Sequence, residues 1–138
     1  MDGDHLSALS QFLREEPAVL FAYLFGSRAR GTHGPMSDFD IAVHLAQNVD
    51  LFTFRLQMLE QLNRLLKTDK VDLVVLNDAP LLLRHRVIRD GRLLKEHHDE
   101  RVRFESRTLR DYLDSAYLRR TQTRARPNRV APEVPRGR

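Results

Sequence analysis

The 138-residue sequence contains no cysteine and no tryptophan. The lack of cysteine excludes disulfide stapling, thiolate catalysis and Cys-ligated zinc, so any metal must be held by oxygen or imidazole, and a reducing compartment suits the chain. No apolar run approaches the roughly 20 residues that a bilayer-spanning helix requires. The opening Met1-Asp2-Gly3-Asp4 is acidic, where a secretory leader would be basic and then apolar. A cytoplasmic protein with no membrane segment is expected. With 41% hydrophobic and 30% charged residues, neither wholesale disorder nor a membrane class is indicated, and the length suits one core.

Acidic residues are nearly missing from the end of the chain. Residues 119–138 hold seven arginines against one acid, Glu133, so this segment is +6 while the net charge of the whole chain is +4. The preceding 118 residues are therefore about −2, and the basic character belongs to a tail rather than to the globular part. Residues 1–118 are read as one domain and 119–138 as an Arg/Pro-rich basic tail without fixed structure. That tail could be an arm for a partner, an RNA-binding extension or a solubilising end.

The apolar residues show how the domain is organised. Asp4 is positioned to cap a helix with Leu6, Leu9, Phe12 and Leu13 on one face, ending before Pro17. Ala18 to Phe25 is a continuous apolar run suited to a strand buried on both faces, and it leads into Gly26-Ser27. Residues 28–37 contain Gly31, Gly34 and Pro35 and read as a loop with one helical turn. From Asp38 to Leu45 alternation sets Phe39, Ile41 and Val43 on one face and Asp38, Asp40, Ala42 and His44 on the other. Asp50 is positioned to cap a helix carrying Leu51, Phe54, Met58, Leu62, Leu65 and Leu66. Val71 to Leu76 reads as a third strand. A short helix follows Pro80, Leu93-Leu94 suits a small fourth strand, and a last helix from Glu100 to about Arg119 carries Leu109, Tyr112, Leu113, Ala116 and Tyr117 on one side.

The chemistry concentrates in Gly26-Ser27, followed after ten residues by Asp38-Phe39-Asp40. Alternate strand positions place the Asp38 and Asp40 carboxylates on one face, where they repel unless a cation lies between them. Magnesium takes one or two carboxylates together with substrate phosphates and water, so such a pair implies a metal-bound phosphate ligand. Gly26 allows a sharp turn and close approach, while Ser27 offers a hydroxyl and an amide at the start of a helical turn. Arg28 and Arg30 are near enough for charge-assisted contacts, or they are simply solvated. Asp72, amid Val71, Leu73 and Val74, would be costly to bury alone. It either binds a second metal and helps deprotonate the attacking hydroxyl, or faces water at a strand end. The histidines show no metal-ligand spacing.

The stretch GSRARGTHGPMSDFD, preceded by a strand and followed by DLVVL, resembles the GS-x10-DxD motif and later third carboxylate of polymerase-beta-like nucleotidyltransferases. The resemblance spans roughly residues 5–97, and the small size is similar to that of the minimal nucleotidyltransferases, the MNT antitoxins paired with HEPN toxins. It implies an α/β (α+β) fold, a small mixed sheet with helices largely on one side. It also implies that Gly26 and Ser27 hold the triphosphate of ATP and that Asp38, Asp40 and Asp72 bind Mg²⁺, two ions in all. The implied activity is transfer of AMP to a hydroxyl, a tyrosine, of a partner HEPN ribonuclease toxin. The chain shows no second domain for a small-molecule or nucleic-acid acceptor. An acceptor protein with its own docking surface fits this, as does a homo- or hetero-oligomer that completes the pocket. A binding-only antitoxin and an RNA-associated protein acting through its tail are the competing readings, and the complete motif argues against the first.

Overall fold

The computed structural model describes residues 2–31, 34 and 38–125. The apolar run forms β1 (Val19–Phe25), in which every residue but Leu20 is buried. It lies inside a four-stranded sheet ordered β3-β2-β1-β4, where β2 is Phe39–Leu45, β3 is Val71–Val75 and β4 is Arg92–Lys95. β1 runs antiparallel to both β2 and β4, and β2 runs parallel to β3. A parallel neighbour requires a crossover, supplied by the helix α3 (Leu51–Leu66). The small mixed sheet and the fourth strand agree with expectation.

The two faces of the sheet are both covered. α1 (Asp2–Arg14) and α3 pack Leu9, Leu13, Met58, Leu62 and Leu66 against Leu24, Ile41 and Val43. On the other face α4 (Leu81–Asp90) and α5 (His98–Ala125) bring Val87 and Phe104 onto Phe21, Tyr23 and Ala42. The helical cover is thus shared rather than confined largely to one side. The cause is β1, whose alternate residues are apolar in both directions and leave neither face fit for water.

Three local expectations need correction. Asp4 lies inside α1, which begins at Asp2, and not before it. α5 continues to Ala125, seven residues past the expected boundary at 118; residues 126–138 lie outside those described. The apolar set expected to pack α5 is divided: Tyr112 and Ala116 are half-buried, with Tyr112 stacked on His85 of α4, while Leu109, Leu113 and Tyr117 are exposed, and among the described residues Phe104 and Thr108 are the buried ones of this helix. Periodicity identifies a stripe without saying what it faces. Asp50 is the N-cap residue of α3 as expected, but its carboxylate accepts from Thr53 Oγ1 at 2.7 Å and makes no hydrogen bond to the helix backbone.

Candidate active site

Phe25 at the end of β1 pairs with Asp40 at the start of β2, so the chain turns at Gly26 directly beside that aspartate. Gly26 has φ +75° and opens the short helix α2 (Gly26–Arg30). A β-carbon at this position would collide with the Asp40 carboxylate. Only glycine allows both the left-handed turn and the approach of the acid to the backbone. Ser27 lies in the first turn of α2, and its carbonyl accepts from the N–H of Gly31, which ends the helix with φ +77°.

β-register brings in the third acid. Asp40 is the direct partner of Asp72 across the parallel β2–β3 ladder. Both share the sheet face of Ala42 and Val74, as alternation dictates. Asp38 precedes β2 and is exposed. The half-buried Asp40 carboxyl is held above its ordinary value of 3.8, first by desolvation and then by the charges of Asp72 and Asp38, with Arg30 acting in the opposite direction. Asp72 is exposed and not buried, so the desolvation argument made from its neighbours does not apply. It lies on the border strand β3, where the face next to it is open.

The two arginines part company. Arg30 lies within electrostatic reach of both Asp40 and Asp90, the last residue of α4. The Arg28 guanidinium stacks over the Phe39 ring at 3.8 Å, and Phe39 belongs to the opposite face of the sheet. The link from Arg30 to Asp90 and the seat of Arg28 on Phe39 both depend on tertiary placement, and no spacing in the sequence signals either.

This arrangement is an open anionic corner against a glycine turn. Among the described residues no three acidic or histidine side chains converge into a ready metal cage. Magnesium does not need one, since phosphates and water complete its shell. The register that pairs Asp40 with Asp72, together with Asp38 in electrostatic reach of Asp40, gathers hard oxygen donors beside the Gly26 turn, the donor chemistry that a divalent ion takes. The residues therefore fit a divalent ion. A groove of about 660 Å³ between α1 and β4, lined by Ser7, Ser10, Gln11, Arg14 and Arg92, includes none of these acids.

Comparison with known proteins agrees with the geometry. The family model described as polymerase beta, nucleotidyltransferase matches residues 7–100. The protein adenylyltransferase MntA of Aphanizomenon flos-aquae is 35% identical over 109 residues, with 72% of each chain covered. Its namesake from Shewanella oneidensis is 34% identical over 96 residues, covering 70% of this chain and 68% of that one. A crystal structure of a toxin-antitoxin with AMP-PNP contains a chain of 29% identity that superposes with TM-score 0.73, covering 87% of this chain and 96% of its own. A structure of tri-AMPylated Shewanella oneidensis HEPN toxin with MNT antitoxin aligns at TM-score 0.70 and 26% identity, over 91% and 98% of the two chains. The chain is a nucleotidyltransferase of the polymerase beta family, in the group that holds the MntA protein adenylyltransferases.

Proposed function

We propose that this chain is an antitoxin that transfers AMP from ATP to a hydroxyl, a tyrosine side chain, of a partner HEPN ribonuclease toxin and thereby silences it. One observation carries the reading: the Asp40 carboxylate lies against the Gly26 turn, with Asp72 paired beside it and Asp38 within electrostatic reach. The named relatives, which include protein adenylyltransferases and a complex with an AMPylated HEPN toxin, support the acceptor class.

In this reading Gly26 and Ser27 receive the triphosphate, and Arg30 contributes charge from the rim. Arg28 reaches them only by leaving its stack on Phe39. Asp38, Asp40 and Asp72 are the residues that would hold Mg²⁺, two ions in the full arrangement. The metal would neutralise phosphate charge and polarise the reacting oxygens. The acceptor oxygen bonds to the α-phosphorus, the bond to the β-phosphate oxygen breaks, and pyrophosphate leaves. Asp72, exposed and adjacent, is suited to accept the hydroxyl proton. The chain works in the cytoplasm, and among the described residues no helix is long and apolar enough to cross a membrane.

A binding-only antitoxin is the competing reading, and the exposed apolar side of α5 would serve it. Labelled ATP, Mg²⁺ and the product of the adjacent reading frame separate the two. Label should pass to that product with wild type, and transfer should fall by at least about 100-fold with Asp38→Asn or Asp40→Asn. Equal neutralisation of toxicity by wild type and both variants would establish occlusion instead.

A further inference from the structure

The β2–β3 ladder, which carries Asp40 and Asp72, is closed by a side chain. Its pairs run in one parallel register from Phe39 with Val71 to Val43 with Val75, and at its start the Lys70 carbonyl accepts from Phe39 N–H at 2.8 Å. β3 then ends, and Leu76–Asp78 leave it as a single 3-10 turn. The Leu76 carbonyl, which a continued strand would turn toward the Leu45 amide, accepts from Ala79 N–H at 3.4 Å instead. Leu45, 1% exposed at the end of β2, would thus keep a buried N–H and a buried carbonyl without partners on this side. Asn77 serves both. Its Oδ1 accepts from Leu45 N–H at 2.8 Å, and its Nδ2 donates to the Leu45 carbonyl at 3.0 Å. The two residues are 32 apart, as are Phe39 and Val71 and every other pair of the ladder. One carboxamide, with an acceptor and a donor side by side, therefore stands in for the next backbone rung in the same register.

We infer that Asn77 is a positioning residue for the transfer reaction, its clamp on Leu45 fixing the register that sets Asp72 opposite Asp40. The inference rests on the proposed function, in which Asp72 accepts the hydroxyl proton and shares in holding the metal. The apolar pattern does not fix this register by itself. A slip of one residue would turn Leu73 and Val75 away from Ile41 and Val43, and their burial forbids it. A slip of two residues keeps Leu73 and Val75 on the face of Ile41 and Val43, yet it sets Asp40 against Val74 or Lys70 in place of Asp72. β3 is the strand most open to such movement, since it borders the sheet and pairs on one side only, and its Asp72 side is exposed. Backbone rungs look alike after a slip of two. The pair of Asn77 with Leu45 does not, because the neighbouring exit residues Asp78 and Ala79 carry no carboxamide.

The test follows label from ATP to the product of the adjacent reading frame, with MgATP varied, for the full chain and its variants. Asn77→Ala is expected to lower kcat by about 10-fold while the KM for MgATP stays within about twofold of wild type, since Gly26 and Asp40 are set by the β1–β2 pairing. Ser10→Ala is the matched control. Ser10 Oγ donates to the Leu94 carbonyl at 2.6 Å on the opposite border strand, so its loss should lower the melting temperature comparably and leave kcat unchanged. In an Asp72→Asn background Asn77→Ala should change kcat by less than about twofold, because the clamp acts through Asp72. Amide hydrogen exchange within β3, read by NMR on the metal-free protein, should quicken in Asn77→Ala and not in Ser10→Ala. A wild-type kcat in Asn77→Ala would overturn the role. An equal fall of kcat in Ser10→Ala, or an undiminished further fall on top of Asp72→Asn, would reduce it to general loosening and overturn it too. Absence of label transfer by wild type would defeat the transfer reading, and this role with it.

Discussion

At the scale of single residues, the site depends on the absence of a side chain. Gly26→Ala places a methyl group where the Asp40 carboxylate lies and forces an L-residue to φ +75°. The backbone strain costs about 1–3 kcal/mol. The acid, being the end of a flexible side chain, can swing away. The expected outcome is a folded protein with a modestly lower melting temperature and AMP transfer reduced by about 100-fold or more, checked by thermal melting beside a radiolabel assay. Asp40 also sets a pH dependence. Its folded value lies above the ordinary 3.8, so the anion proposed to hold the metal is complete only above that raised value and is lost as pH falls through it. The acidic limb of the activity profile should therefore sit higher than an unperturbed aspartate gives, and more Mg²⁺ should shift it back toward lower pH.

At the scale of elements, α5 is fastened near its start. The Tyr23 hydroxyl of β1 donates to Glu105 Oε2 at 2.6 Å, and Glu105 Oε1 accepts from Arg101 Nη1 at 3.0 Å. Arg101 in turn holds Glu96, just past β4. Tyr23→Phe removes one hydrogen bond and leaves Glu105 with its arginine, so the expected cost is about 1 kcal/mol, measured by chemical denaturation. The strands were readable because β1 is a bounded apolar run and Phe39, Ile41 and Val43 alternate with polar partners. α5 was less readable. Leu109, Leu113 and Tyr117 recur at helical spacing whether they meet a core or a partner, and only the seating of Phe104 and Thr108 separates the two cases. Gly26-Ser27 and Asp38-Phe39-Asp40 were legible as a fixed spacing, and the antiparallel pairing of β1 with β2 sets Asp40 against the Gly26 turn. The pairing of Asp72 with Asp40 belongs to a long-range register, which composition alone does not state.

At the scale of the whole molecule, two titrating groups pull acid stability in opposite directions. His44 is stacked on Phe21 at 4.9 Å, and its Nδ1 has no hydrogen-bond partner. Burial, followed by the charge of Arg107, holds it below its ordinary value of 6.5 against the opposing effect of Glu100. Stability from this group is complete above 6.5 in pH and declines as pH falls toward the lower folded value, because the unfolded chain takes the proton first. Asp40 works the other way: its ionised form is disfavoured in the folded state, so protonation relieves the fold. Melting curves recorded from pH 7 down to about pH 5 should show a smaller acid loss for His44→Phe than for wild type. Asp40→Asn should melt higher than wild type without metal, by about 2 °C for a screened repulsion of about 0.5 kcal/mol.

The pairing of Phe25 with Asp40 and of Asp40 with Asp72 makes catalysis a reporter of strand alignment. Deleting one residue inside β2 would rotate Phe39 or Ile41 into the place of the acid, since neighbouring side chains point to opposite faces. A protein so altered could still hydrogen-bond its sheet along the full ladder and would have lost the centre altogether. A length change between Phe39 and Val43 that shifts this register therefore takes the acid away from the Gly26 turn.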